Sequence, residues 1–411
     1  MRKYLAIAAL LSLTSFFLLN DSAESVSENL EFIDKAKKKA LSHYYQRGEL
    51  PKKVDISDKT YLIESTINEK LQKKIKKLLK RYRSDYSAVV VIDNETGHVL
   101  ASVGYEGRNR KDNYSLPFSS TNPSASLFKI VTSAKLLEEK RVTPDTNFIF
   151  RGKGTTLYKY QLREKKSRWN RNVPFKKAFA YSNNVIFGKA AVNHLTGIEL
   201  FDMAYKMGFN REIIDGIEMP KSQFQMPEGQ YNLAELASGF NSETTMSPVH
   251  AAALSMTIAN GGEFKQPDLF KSVSEIGNQN KVTFDEEDTW RAFGKDTAQG
   301  LKQMMVQTVK KGTARGSFRR LKRSLRNKLD IGGKTGSLTG GIPEGKRDWF
   351  SSFAVPRGES SRKGISIAVM NINVKKWYVK SAFLAKEIIS YYFSNLKPLK
   401  AETLVARNSN R

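Results

Sequence analysis

The chain of 411 residues contains no cysteine. That excludes disulfides, thiolate zinc sites, a cysteine nucleophile and a lipid-modified N-terminal cysteine. Histidine is nearly missing as well: His43, His98, His194 and His250 are all there is. None stands beside a nucleophile motif, so a serine–histidine–aspartate site has few candidates and a multi-histidine metal site has no evident ligand set. No metal and no cofactor is expected. Acidic residues are scarce relative to basic ones, 41 against 68, for a net charge of +27. Such a balance suits nucleic acid, an anionic membrane surface or an anionic cell wall, and composition does not choose among them.

Long apolar runs are lacking except at the start. Met1-Arg2-Lys3 precedes a mostly apolar stretch from Tyr4 to Leu19, the layout of a secretory signal. Asp21 stands where a small residue is preferred before cleavage, so residues 1–23 are expected to be either a signal peptide or an uncleaved N-terminal membrane anchor. The basic start places the remainder outside the cytoplasm, at the inner membrane facing the periplasm or exterior. An exported chain does not meet chromosomal DNA, so no nucleic-acid partner is expected.

Hydrophobic residues make up 40% of the chain, enough for a sizeable core. Ser25-x-x-Glu28 looks like a capping box, with Leu30, Ile33, Ala36, Ala40, Leu41 and Tyr44 on one face of the helix that follows. Gly48 and Pro51 end it, and a polar connector runs to about Thr60; residues 24–59 are expected as a helical stalk or linker. Leu71, Ile75, Leu78, Leu79 and Tyr82 recur at helical spacing among lysines and arginines, predicting a basic amphipathic helix. Tyr86–Asp93, a turn at Asn94–Gly97, and His98–Gly104 read as a hairpin. Residues 124–260 are mostly helical in pattern. Strands return at 330–335, 349–355 and 365–373, and a last helix covers roughly 379–393. The expected fold is α+β: an antiparallel sheet built by the N- and C-terminal segments, with an inserted helical subdomain. The main domain should span 60–395, with 396–411 as a tail.

Three short motifs carry chemistry. Ser126-Leu127-Phe128-Lys129 starts a helix, and residues three apart on a helix meet. A serine hydroxyl needs a neighbour to take its proton, and a lysine does so only when neutral, a state favoured by burial and by a second cation. Ser360–Lys363 and Ser394–Lys397 match the same pattern, so it is a chance-level signal alone. Ser182-Asn183-Asn184 is the second motif and is equally common by chance. Lys334-Thr335-Gly336-Ser337 is the third. Lys-Thr/Ser-Gly occurs once, and a glycine on a strand lets a ligand or another backbone approach. A lysine beside two hydroxyls suits a carboxylate.

The order is what is specific. Ser-x-x-Lys, then Ser-Asp-Asn, then Lys-Thr-Gly is the triple of class A β-lactamases and penicillin-binding proteins. The chain therefore resembles the penicillin-binding protein transpeptidase domain, with Asn183 in place of the middle aspartate and Ser337 where many members have threonine. Segments at 66–72, 88–97, 244–248, 259–262, 312–315 and 348–350 extend the resemblance to about residues 60–395.

The resemblance implies a β-lactamase-like fold and a D,D-transpeptidase of peptidoglycan synthesis that binds penicillin. Ser126 would be acylated by the D-Ala-D-Ala stem peptide, Lys129 would take its proton, and Ser182 would relay a proton to the departing D-alanine. Asn184 would hold the substrate amide and Lys129. Lys334 would keep Lys129 neutral and draw in the substrate carboxylate, which Thr335, Gly336 and Ser337 would bind. The backbone N–H groups of Ser126 and Ser337 would form the oxyanion hole. Implied partners are peptidoglycan stem peptides, β-lactam antibiotics, the membrane through the N-terminal segment, and other cell-wall synthesis proteins. A D,D-carboxypeptidase or a serine β-lactamase fits the same motifs, and a non-catalytic β-lactam sensor or scaffold is the alternative from another class.

Overall fold

The computed structural model describes residues 30–214, 219–277, 281–283, 289–358, 363–397 and 399. The expected signal or anchor at 1–23, the Ser25–Glu28 capping box, the Ser360–Lys363 match and the end of the tail lie outside them, the last motif save for Lys363. Among the described residues no helix is long and apolar enough to cross a membrane.

The valine-rich run forms the strand Tyr86–Asp93 and returns as Val99–Glu106. β-Branched side chains suit the pleat. Asp93 Oδ1 accepts the backbone N–H of Glu95 at 2.9 Å, tightening the turn between them. Six antiparallel strands make the main sheet, in the order Leu329–Thr339, Lys346–Pro356, Ile365–Asn373, Tyr86–Asp93, Val99–Glu106, Lys111–Asp112. Early and late segments thus meet in mid-sheet, and the helical stretch between them is the insertion. This is the expected α+β architecture.

Both faces of the sheet are covered. The helix Pro248–Ala259 is buried along its whole length, as a helix apolar on all sides must be, and packs on the three central strands. Ser255 and Ser351 hydroxyls meet at 2.5 Å across that contact. On the other face, Glu69–Tyr82 and Ser381–Tyr391 share one core with Val89, Val91, Phe350 and Ile367. Asn68 starts the first of these by accepting the Leu71 N–H at 3.0 Å, a cap worth about 1 kcal/mol. Leu71, Ile75, Leu78 and Leu79 are its buried stripe, as the spacing predicts.

Of the described residues, 30–65, 270–277 and 281–283 form a separate compact unit. In it a helix over 30–47 buries Ile33, Ala36, Ala40, Leu41 and Tyr44, whereas Leu30, expected on the same face, is half-exposed. The connector expected up to Thr60 is instead a hairpin, Lys53–Ile56 with Lys59–Ser65. Its second strand pairs with Phe270–Glu275, so the partner that makes this segment a strand lies far along the chain.

Candidate active site

The nucleophile segment is held from three sides before it becomes helix. Ser124 N–H donates to the Thr244 carbonyl at 2.9 Å, Trp349 Nε1–H to the Pro123 carbonyl at 3.0 Å, and Arg347 Nε–H to Asn122 Oδ1 at 3.1 Å. Ala125–Phe128 is a single 3-10 turn, and the α-helix proper runs Lys129–Glu138. Ser126 therefore sits one tight turn ahead of the helix, not within its first α-turn. That helix buries Ile130, Val131 and Ala134, and is buried around Lys129, Thr132 and Ser133 as well, while Leu137 near its end is only partly covered. Ala125 has φ 49° and Ser182 has φ 56°, left-handed conformations that cost a residue with a side chain about 1–2 kcal/mol. Ala125 precedes the first of the clustered hydroxyls, and Ser182 carries another.

Sequence reading missed what backs Ser126. The helix Gly229–Ser238 ends at Gly239, which has φ 62°. A Cβ there would come 1.9 Å from the Ala125 carbonyl oxygen and 3.0 Å from the Ser126 nitrogen, so only glycine lets the two segments pass. The signal was present in the sequence as a glycine closing a helical stretch; what it closes against was not.

Lys129 is fully buried. Its Nζ lies 2.9 Å from Ser126 Oγ, donates to Asn184 Oδ1 at 2.7 Å, and donates to the Ser238 carbonyl. Burial first, and the charge of Lys334 second, hold its pKa well below the ordinary lysine value. Buried Lys135, Lys189 and Lys386 each have a carboxylate partner. Among the described residues Lys129 and Lys334 have none. A neutral amine has two hydrogens and one lone pair. The two acceptors here, Asn184 Oδ1 and the Ser238 carbonyl, take the hydrogens, and the lone pair is left facing the Ser126 hydroxyl.

Asn184 opens the helix Asn184–His194 and is anchored by its own Nδ2–H, which donates to the Thr155 carbonyl at 3.0 Å. Asn183, the departure from aspartate, is the N-cap: its Oδ1 accepts the Ile186 N–H at 3.1 Å. Aspartate caps a helix about as well. Asn183→Asp is therefore expected to change unfolding free energy by less than ~0.5 kcal/mol, measured by urea denaturation; a loss well above that would show that the Asn183 amide N–H groups matter.

Lys334 is buried on the strand Leu329–Thr339, and its Nζ donates to Ser182 Oγ at 3.0 Å and to the Thr335 carbonyl at 2.9 Å. Burial pulls its pKa down to about 7. Thr335 Oγ1 meets Thr313 Oγ1 at 2.6 Å, which brings the Gly312-Thr313 segment to the site. At Gly336 an added Cβ would lie 3.4 Å from the Ala125 Cβ, so the strand runs closely beside the nucleophile turn. Ser126, Ser182, Asn184, Thr335, Gly336 and Ser337 line one cavity of about 430 Å³, with Lys129 and Lys334 buried beneath and bonded to two of its hydroxyls. The structure thus gathers Ser126, Lys129, Ser182, Asn184, Lys334, Thr335, Gly336 and Ser337 at one cavity, while Asn183 caps a helix and Leu127 and Phe128 are buried in the core. Asp348, opposite Ser337 on the neighbouring strand, adds a carboxyl to the lining; burial pushes its pKa up to about 6 while the Ser381 N–H donates to it. Among the described residues no group of acidic or histidine side chains could hold a metal ion.

Such a site can activate its serine hydroxyl and hold an anionic group beside it. The family model described as "Penicillin binding protein transpeptidase domain" matches residues 87–389. A relative, "Penicillin-binding protein 1F" of Bacillus subtilis, is 26% identical over 332 residues, which is 78% of this chain and 41% of the relative. The chain thus spans about two fifths of that relative's length. Among solved structures, the D,D-transpeptidase domain of a peptidoglycan glycosyltransferase from Eggerthella lenta superposes with a TM-score of 0.62 at 22% identity, covering 80% of this chain and 82% of the other. Penicillin-binding protein 3 of Mycobacterium tuberculosis, in its apo form, gives 0.65 at 18% identity, covering 82% and 81%. These two share the fold.

Proposed function

Because the chain belongs to the penicillin-binding protein transpeptidase family, we propose that it is a serine D,D-transpeptidase acting on peptidoglycan stem peptides at the cell envelope. Residues 1–23 hold it at the inner membrane in this reading. The observation that carries the proposal is Lys129: a buried lysine with no carboxylate partner among the described residues, whose two acceptors leave its lone pair for Ser126.

Ser126 Oγ attacks the carbonyl of the D-Ala-D-Ala bond, and Lys129 takes its proton. The backbone N–H groups of Ser126 and Ser337 hold the oxyanion. Lys334 keeps Ser182 polarised, and Ser182 relays the proton taken by Lys129 to the leaving D-alanine nitrogen, which returns Lys129 to its neutral form. Thr335 and Ser337 bind the terminal carboxylate with the charge of Lys334 behind them. Asn184 positions both Lys129 and the substrate amide. An acceptor amine of a neighbouring stem then attacks the acyl-enzyme and makes the crosslink.

Incubation of the protein with a fluorescent penicillin is expected to give one stable covalent adduct, mapped by peptide mass spectrometry to Ser126. No adduct, or an adduct elsewhere, sinks the reading. An adduct lost within seconds points instead to a β-lactamase. Products from stem-peptide substrates separate transpeptidase from carboxypeptidase.

The close passage at Gly239 gives a second expectation. Gly239→Ala should displace the Ala125–Ser126 backbone, and a shift near 1 Å costs about 10²-fold in rate. Penicillin acylation is the readout, with a urea titration alongside. An unchanged acylation rate in a folded variant would mean that the two segments are free to part.

A further inference from the structure

The basic run Arg319–Lys328 takes no part in the site above. Six of its ten residues are lysine or arginine, and no acidic residue occurs between Asp296 and Asp330. Two short helices form here, Arg315–Phe318 and Arg323–Lys328, with Phe318, Leu321, Leu325 and Leu329 turned into the core and Arg315, Arg319 and Arg326 exposed. With the end of the helix Lys295–Lys310 and with Arg357, they enclose a cavity of about 250 Å³. Val309, Phe318, Leu321, Leu329 and Ile331 make its apolar lining. Lys310, Arg315, Arg319, Arg326 and Arg357 stand around it. Arg357 pairs with Asp330 at 2.9 Å, and among the described residues the other four cations have no carboxylate partner.

Four uncompensated cations around one hollow repel each other, and an anion relieves that repulsion. Guanidinium groups offer paired N–H donors that match the oxygens of a phosphate. The apolar lining selects further. A phosphate polymer or a nucleic acid would leave those side chains unused, while an amphiphile uses both parts. We propose that this cavity binds an anionic phospholipid, its phosphate on Arg315, Arg319 and Arg326 and the first part of one acyl chain in the hollow. The site would hold this face of the protein against the bilayer, independently of the N-terminal segment and of the chemistry at Ser126. Basic pockets between membrane-spanning helices bind anionic lipid head groups through the same charge pairing.

The test uses the full chain in vesicles containing phosphatidylglycerol with a photoactivatable group near the head end of one acyl chain. Irradiation should give adducts on peptides within 309–331. Arg319→Gln/Arg326→Gln should reduce those adducts about tenfold, while adducts within residues 1–23 stay constant and serve as the internal standard. A urea titration of the variant confirms that it folds. No adduct within 309–331, or equal yield from photoactivatable phosphatidylcholine, overturns the proposal. Calorimetry with soluble ligands separates lipid from plain phosphate: dihexanoyl phosphatidylglycerol should bind at least tenfold more tightly than glycerol phosphate, and equal binding by the two also overturns it.

Discussion

Lys129→Ala is expected to slow acylation of Ser126 by penicillin about 10³- to 10⁴-fold, the upper range for loss of a general base. Among the described residues Lys129 is the one titratable side chain bonded to the Ser126 hydroxyl, and its two other partners, Asn184 and the Ser238 carbonyl, remain in the variant. Truncation leaves Asn184 Oδ1 and the Ser238 carbonyl without the amine hydrogens they accept, and a cavity beside them, so the folded variant should be somewhat less stable. Lys129→Arg should fail almost as badly, because a guanidinium does not give up its proton in proteins. Pre-steady-state labelling measures the rate, and circular dichroism confirms the fold. A loss of tenfold or less would mean that another group takes the proton.

The second large effect concerns pH, and here stability and activity should move in opposite directions. Lys334 has a pKa of about 7 in the folded protein because burial disfavours its ammonium form, while an unfolded lysine titrates near 10.4. Between these values the unfolded chain binds more protons than the folded one, so stability rises with pH from about 7 to about 10.4. Lys129 shifts in the same direction. The gain is of the order of a few kcal/mol across the window. The urea midpoint should climb accordingly, and Lys334→Met should flatten the climb; the difference between the two proteins isolates this lysine from other titrating groups. Acylation by a carboxylate-bearing β-lactam should weaken over the same rise, as Lys334 loses the charge that draws the carboxylate in. Identical pH slopes for wild type and Lys334→Met would refute this account.

Much of this was readable in the residues, and the misses have a common cause. The strand Tyr86–Asp93, its return, and the helix Glu69–Tyr82 are local: period, turn residues and the Asn68 cap all lie within a few positions. The three motifs were legible because each is a short string, and their order carried the specificity. The hairpin at 53–65 was not legible, because its pairing partner is Phe270–Glu275. Nor were Ser238 and Gly239, whose roles depend on a carbonyl and a close passage to Ala125 rather than on their own side-chain chemistry. The break of the basic run into two short helices likewise follows from Phe318 and Leu325 reaching the same core from a turn, which helical spacing alone does not reveal.

The pairing of Ile365–Asn373 with Tyr86–Asp93 has a consequence for the order of events as the chain emerges. The strand carrying Lys334 reaches the rest of the sheet only through Lys346–Pro356 and Ile365–Asn373. Ser126 and Lys129 are therefore made and delivered early but wait, without their second lysine, until nearly the whole domain has followed. Contacts this distant in sequence close slowly. A chain stalled or trimmed before residue 329 would carry the serine yet lack both the strand that flanks it and the cation behind the cavity. Competence to be acylated thus reports that synthesis and folding have run to their end.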